Sequence, residues 1–226
     1  MNAPFEFERA RFNMVEQQIR PWDVLDSSVL ELLRLVRRED YMPAGMRELA
    51  FVDTRLPLRI DGIDSGETLL EPKTEARLLQ ELKLGPYDSA LEIGAGSGYM
   101  AALLAHKAQH VTTVEINPAL ARFAAANLQH NGIHNARVEL GDGSRGWIAR
   151  APYDVILISA SLPLLPDELL AQLKVGGRLA AIVGDGPVMS AMLVTRVTDT
   201  QFKHVAMFET WAKPLTNAVM PTRFKF

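Results

Sequence analysis

Three glycines at alternate positions, Gly94, Gly96 and Gly98, follow a short apolar run through Glu92 and Ile93 and precede an alanine-rich helical stretch opening at Tyr99. A strand, a tight turn and a helix in that order bring backbone close to a ligand. Glycine has no Cβ and accepts positive φ, and the helix start adds unpaired N–H groups over the turn. By itself such a loop is common to many nucleotide-binding folds. Two further carboxylates sharpen it. Glu115, followed by Ile116, closes the run Val111-Thr112-Thr113-Val114-Glu115, where a carboxylate accepts from both hydroxyls of a ribose. Asp142 lies in Gly141-Asp142-Gly143, where a short acid accepts from an adenine amino group. Acceptors at successive strand ends suit an adenosine-containing ligand, because open parallel sheets bind at their carboxyl edge. The plainer alternatives are a helix cap for Glu115 and a turn residue for Asp142. A dinucleotide fingerprint would want glycine where Tyr99 stands and makes no use of Glu92. Glu92 then either supports the turn or offsets the positive charge of a sulfonium ligand.

Such groups need a frame that brings strand ends together. From Thr74 onward strands and helices alternate, the pattern of a βαβ sheet. The spacing predicts a helix over Thr74–Lys83, a strand over Ser89–Ile93, a helix over Tyr99–Lys107 and a strand over His110–Glu115. Asn117-Pro118 is a helix start and Gly132 its stop. Strands follow at Ala136–Leu140 and Val155–Ile158, then a helix over Pro166–Leu173 halted by Gly176-Gly177, then a strand over Arg178–Val183. Leu193–Val197 and Lys203–Phe208, joined by Thr198-Asp199-Thr200, predict an antiparallel hairpin closing a mostly parallel sheet. Upstream, Phe5 to Arg38 reads as two helices broken at Pro21-Trp22, with Met14 and Ile19 on the first and Val29, Leu32, Leu33 and Val36 on the second. Asp26, Ser27 and Ser28 are N-cap candidates for the second. Residues 39–68 lose periodicity around Pro43, Pro57, Gly62 and Gly66 and read as loops with one or two short strands. The chain thus divides into an N-terminal helical and loop extension, residues 1–73, and an α/β ligand-binding domain, residues 74–226.

Composition narrows the function classes. A chain of 226 residues with 48% hydrophobic content suits one sizeable globular domain with an appendage. A formal net charge of -3 argues against general nucleic-acid or anionic-membrane binding. The absence of cysteine excludes disulfides, thiol nucleophiles and cysteine metal sites, and suits a reducing cytoplasm. No apolar run approaches the roughly 20 residues of a membrane helix. Glu6, Glu8 and Arg9 break the order expected of a secretory signal.

The pattern resembles the protein-L-isoaspartate O-methyltransferases, which use S-adenosylmethionine. The resemblance starts at Met14-Val15-Glu16-Gln17-Gln18-Ile19 and continues through Val36-Arg37-Arg38-Glu39-Asp40-Tyr41-Met42-Pro43 and Ala50-Phe51-Val52-Asp53. It covers Leu91 to Tyr99, Gly141-Asp142-Gly143 with Gly146-Trp147, Ala151-Pro152-Tyr153-Asp154, and Gln172-Leu173-Lys174 before Gly176-Gly177-Arg178-Leu179. Pro214-Leu215-Thr216 is similar to the segment that closes over the cofactor in that family. The resemblance implies a Rossmann-like methyltransferase fold with a mostly parallel seven-stranded sheet. It also implies a cofactor set of Glu92, Gly94, Ala95, Gly96, Gly98, Glu115, Ile116, Asp142, Gly143 and Thr216. The implied reaction is repair methylation of the side carboxylate of damaged aspartyl residues in a peptide or protein. A carboxylate is ionised at neutral pH and needs no general base, so the lack of a His/Asp or Cys/His pair agrees with it.

One departure stands out. The family's substrate segment carries a serine two residues after its threonine, whereas here Thr68-Leu69-Leu70-Glu71-Pro72 places Leu70 at that position. A hydroxyl donor is lost and Glu71 stands beside it, facing either the pocket or solvent. Thr68, Leu70, Glu71 and Ser159 are therefore the candidate catalytic positions. In Ser159-Ala160-Ser161 one serine either replaces the missing donor or caps a helix before Pro163. A same-fold enzyme with another acceptor, and a non-catalytic S-adenosylmethionine sensor or scaffold, stay open as alternatives. Ile182, where the family has proline, reads as a packing variation. His130 and His134 have metal-ligand spacing but Gly132 between them, and read as a helix-end loop, with no metal expected. Arg34, Arg37 and Arg38 read as a solvated helix face diluted by Glu31, Glu39 and Asp40. Trp22 and Trp147 read as packing residues. Oligomeric state is open.

Overall fold

A computed structural model describes residues 6–221. Phe5, the first residue of the expected N-terminal helix, lies outside the described residues. Helix α1 (Phe7–Asn13) runs on as a π-helix over Met14–Ile19, whose wide turn seats Met14, Val15 and Ile19 in the core, and then as a short 3-10 turn at Arg20–Trp22. Asp26 caps α2 (Ser27–Leu35), its side chain accepting the Ser28 N–H. Strands β1 (Leu56–Ile60) and β2 (Ile63–Leu69) form a two-stranded antiparallel sheet. Helix α3 (Pro72–Leu82) starts on Pro72, whose fixed φ and missing N–H suit a first helical turn.

The central sheet is built from β3 (Ser89–Ile93), β4 (His110–Glu115), β5 (Ala136–Leu140), β6 (Tyr153–Leu162), β7 (Leu173–Val183), β8 (Met189–Arg196) and β9 (Phe202–Thr210). Its order is β5-β4-β3-β6-β7-β8-β9, parallel through β7 and antiparallel across the last two pairings. The mostly parallel sheet closed by a C-terminal hairpin is as expected. Helices α4 (Tyr99–Ala105) and α5 (Pro118–His130) return the chain between parallel strands. Both faces of the sheet are covered. Along β6, Val155 and Leu157 belong to the core shared with α3, α4 and the N-terminal helices, while Ile156 and Ile158 belong to the opposite core. Ile182 is fully buried in the first of these cores. The chain runs outward from β3 through β4 to β5, then returns to lay β6 on the other side of β3. That reversal opens a crevice at the carboxyl ends of β3, β4 and β6.

Three expectations are corrected. The helix over Pro166–Leu173 shrinks to α6 (Asp167–Leu170), and Gly176-Gly177 lies inside β7 instead of ahead of it. Leu173 already pairs with Tyr153, so the chain must leave the helix early. The segment from Lys174 to Gly177 is then taken up as an irregularity before Arg178 pairs with Val155. Neither serine of Ser159-Ala160-Ser161 caps a helix at Pro163, because β6 continues to Leu162 and α6 opens only at Asp167. Arg38 is not on a solvated face: it is wholly buried in a 3-10 turn at Arg38–Tyr41, and Glu39 beside it is buried against Arg11.

Candidate active site

The bend after β3 is tied to β4 by its backbone. The N–H of Gly94 donates to Val114 O at 2.9 Å, and that of Ala95 to the same oxygen at 3.3 Å. Gly98 starts α4 at φ +84°, and a Cβ there would stand 3.0 Å from the Ala124 carbonyl oxygen, so α4 and α5 meet at this distance only through glycine. At the tip of β5, a Cβ on Gly143 would lie 2.7 Å from Ile93 Cγ2. The wall of the cleft stays flat there.

A cleft opens over this bend, with Gly94, Gly96, Glu115, Ile116, Asp142 and Gly143 on its floor and sides. Glu67 and Thr68 of β2 border one side of it, and Pro214, Leu215 and Thr216 also line it. An adjoining recess is bounded by Thr68, Leu70, Glu75, Glu92, Ala95, Tyr99 and Ser159. Thr68, Gly94, Gly96 and Ser159 face both spaces. Of the expected positions, Gly98 and Glu71 border neither. Gly98 acts through the helix crossing. Glu71 is neither in the pocket nor free in solvent: Arg55 pairs with it at 3.1 Å and holds it aside.

Glu115 accepts the Gly96 N–H at Oε2 (3.0 Å) and the Asn117 N–H at Oε1 (2.9 Å), so the carboxylate is locked to the bend while each oxygen keeps further lone-pair capacity. Asp142 accepts the Ser144 N–H at 2.8 Å and the Asn217 side-chain amide at 2.9 Å. Burial pushes its carboxyl up, but the Ser144 backbone and the Asn217 and Ser144 side chains outweigh that and hold it below the usual carboxylate range. Glu92 is sealed from water and accepts the Thr113 hydroxyl at 2.7 Å and the Ser159 hydroxyl at 2.8 Å. Burial pushes it up to about 8 against those two hydrogen bonds, with Glu115 and Glu75 adding to the rise. Ser161 faces away, its hydroxyl spent on Ala212 O at 2.8 Å.

The segment after β9 is tied to the tip of β6: the Ser161 N–H donates to Lys213 O at 3.0 Å, the Leu215 N–H to Ser161 O at 2.9 Å, and Pro214 bridges to Ser161. Asn217, at φ +62°, then reaches Asp142. Sequence reasoning missed Asn217 and Lys213. Asparagine's tolerance of left-handed φ was the available signal for the first, and nothing in the sequence marked the second. Trp147 packs its ring on Gly141, and Lys73 Nζ sits 4.1 Å above the exposed Trp22 ring.

Among the described residues, five carboxyls border the two spaces and no histidine, lysine or arginine does, though Lys213 pairs with Glu67 and Arg38 with Glu75. The carboxylates of Glu115 and Asp142 suit a cationic, hydroxyl-bearing ligand. The sequence model of the protein-L-isoaspartate(D-aspartate) O-methyltransferases matches residues 9–219. Protein-L-isoaspartate O-methyltransferase 1 of Rhodopseudomonas palustris (strain HaA2) is 45% identical over 199 residues, covering 88% of this chain and 78% of the relative. A second relative, the Rhodopseudomonas palustris (strain ATCC BAA-98 / CGA009) protein-L-isoaspartate O-methyltransferase, is 42% identical over 206 residues, 91% of this chain and 92% of its own. The fold matches a solved protein-L-isoaspartate O-methyltransferase with TM-score 0.80 at 24% identity, over 95% of this chain and 67% of that one. It also matches a Plasmodium falciparum structure described as of that kind, in complex with S-adenosyl-L-homocysteine, with TM-score 0.78 at 20% identity over 94% and 99% of the two chains. The chain belongs to the protein-L-isoaspartate(D-aspartate) O-methyltransferase family, whose enzymes depend on S-adenosylmethionine.

Proposed function

We propose that the cleft holds S-adenosylmethionine and that the recess presents its methyl group to the free carboxylate of an isoaspartyl residue in a damaged protein or peptide. The observation that carries this reading is the placement of Glu115 and Asp142 at neighbouring strand tips above a bend whose glycines leave room for a nucleoside. The cofactor supplies a methyl carbon on positively charged sulfur, and transfer forms a carbon–oxygen bond to the acceptor while the carbon–sulfur electron pair stays on sulfur.

The chain's own part is positional. Glu115, fixed by Gly96 and Asn117, accepts from the ribose hydroxyls, with Ile116 beside the base. Asp142 accepts from the adenine amino group, and Gly143 keeps that side thin. Gly94, Ala95 and Gly96 let the backbone approach, Gly98 sets the helix crossing, and Thr216 covers the outer side. Glu92, bordering the recess, would support the bend through Thr113 and Ser159 or offset the positive sulfur. Thr68, Leu70 and Ser159 form the acceptor side, and residues 1–73 are read as the extension that shapes it. Holding acceptor oxygen, methyl carbon and sulfur in line and free of water can supply about 7–11 kcal/mol of rate enhancement. No proton need leave, since the acceptor is already ionised.

Apolar Leu70 in the recess favours one second reading, a methyltransferase acting on another acceptor. No helix among the described residues is long and apolar enough to cross a membrane, and from the absence of cysteine, which suits a reducing compartment, we infer a cytoplasmic protein. Incubation with labelled S-adenosylmethionine and an isoaspartyl peptide is expected to give a base-labile methyl ester. Label transferred to other cell components but not to that peptide would move the assignment to the second reading.

A further inference from the structure

Among the described residues, an acceptor carboxylate entering the recess meets apolar Leu69, Leu70 and Met100, the carboxyls of Glu75 and Glu92 and no cationic side chain. It therefore needs a hydrogen-bond donor of another kind. Of the hydroxyls there, those of Ser97 and Tyr99 are buried and Thr68 lies at the exposed rim, which leaves Ser159 at the half-buried mouth. Ser159 sits on the boundary of cleft and recess, at the switch point beside β3, and its hydroxyl is in contact with Glu92. We propose that Ser159 is the hydroxyl donor that positions the acceptor carboxylate, and that Glu92 decides which way this hydroxyl points. The inference rests on the isoaspartyl reading above.

The argument is one of proton accounting. Ionised Glu92 accepts from both Thr113 and Ser159, which leaves Ser159 with no proton to offer. Once protonated, Glu92 must donate, and one of the two hydroxyls must turn to accept. Thr113 is wholly buried on β4, so a proton released there would point into packed protein. Ser159 is half-buried at the mouth and can turn its O–H to the acceptor. Glu92 faces Thr113 and Glu115 from β4, Ser159 from β6 and Glu75 from α3. Each of these carboxyls, like burial itself, favours the protonated form, which holds at neutral pH with a carboxyl pushed up to about 8. A bound sulfonium pulls the other way, so the alkaline fall in activity is read at saturating cofactor.

Ser159→Ala is expected to lower kcat/KM for an isoaspartyl peptide about 10- to 100-fold, the scale of a hydrogen bond to a charged group. The calorimetric dissociation constant for S-adenosylmethionine should barely move. Ser159→Thr should keep most of the activity, and Leu70→Ser placed in the Ser159→Ala background should recover part of it by putting a hydroxyl in the same recess. In the unaltered chain kcat/KM should fall as pH rises through the Glu92 titration. Glu92→Gln, whose amide can donate at every pH, should flatten that fall, whatever the height of its profile. Three results each overturn the inference: undiminished ester formation by Ser159→Ala, an equal loss of cofactor binding in that variant, or an alkaline fall that persists in Glu92→Gln. An unaltered chain that forms no ester with the peptide removes the acceptor assignment and this inference together, and so is told apart from failure of the inference alone.

Discussion

Arg38 and Glu75 form a buried ion pair at 3.1 Å directly behind the recess, with the guanidinium fully sealed from water. The other arms of Arg38 donate to Ala50 O at 2.8 Å and Leu70 O at 2.9 Å, and its centre lies 5.5 Å from the Tyr99 ring centroid. One side chain thereby fastens its own 3-10 turn and a second one at Arg47–Phe51, which holds Ala50, to the entry of α3 and to α4. Burial pushes the Glu75 carboxyl up, and Arg38 opposes that rise. Removing one partner of such a pair leaves a buried charge and two orphaned carbonyls. Arg38→Leu is therefore expected to cost about 3–5 kcal/mol in urea unfolding, and adding Glu75→Gln should restore part of it. A loss below about 1 kcal/mol, the scale of an exposed pair, would show that the pair does not hold the recess.

Glu115→Ala removes both the proposed ribose acceptor and the Gly96 anchor. S-adenosylmethionine affinity should drop by at least about 10-fold, since hydrogen bonds to charged groups contribute about 1.5–3 kcal/mol. Isothermal titration at neutral pH measures it, and unchanged affinity would remove the carboxylate from the binding scheme.

Glu92 makes stability depend on pH in the less usual direction. Its carboxyl rises from 4.5 to about 8 on folding, so between those values the folded chain binds the extra proton. Stability falls as pH climbs through that window and levels off above it, on the order of a few kcal/mol at one pK unit per 1.36 kcal/mol. Glu92→Gln has no such proton to lose. Thermal melts of the two proteins should show the variant gaining relative to the parent from pH 5 to pH 8, and parallel curves would contradict the burial argument.

Gly98→Ala forces a left-handed φ on a residue with a Cβ and drives it against Ala124 O at 3.0 Å. The strain of a left-handed residue is about 1–2 kcal/mol before the contact is counted. Calorimetric unfolding should show at least that loss, and an unshifted midpoint would mean that α4 and α5 separate freely.

Strands β3, β4 and β5 begin and end where the sequence places them, because each is a short apolar or β-branched run stopped by glycine or by a cap such as Asn117. Glu115 and Asp142 were legible for the same reason: strand ends in a parallel sheet converge by topology alone. What escaped depends on distant contacts. The π-helix over Met14–Ile19 has the same apolar spacing as an α-helix at that length. Arg38 carries no local sign that Glu75, in another element, will bury it. Gly176-Gly177 has the chemistry of a stop, yet pairing of Leu173 with Tyr153 draws it into a strand. Glu71 is set aside by Arg55 from across the sequence.

Lys213 reaches from the segment after β9 to Gly66 O at 2.8 Å and to the Glu67 carboxylate at 2.6 Å, stitching together two lips of the cleft. Both partners are partly exposed, so the clasp is weak, about 0–1 kcal/mol, and screened by salt. The mouth of the cleft is thus latched by an interaction that ionic strength can loosen. Cofactor exchange should quicken in brine while the sheet beneath stays unmoved.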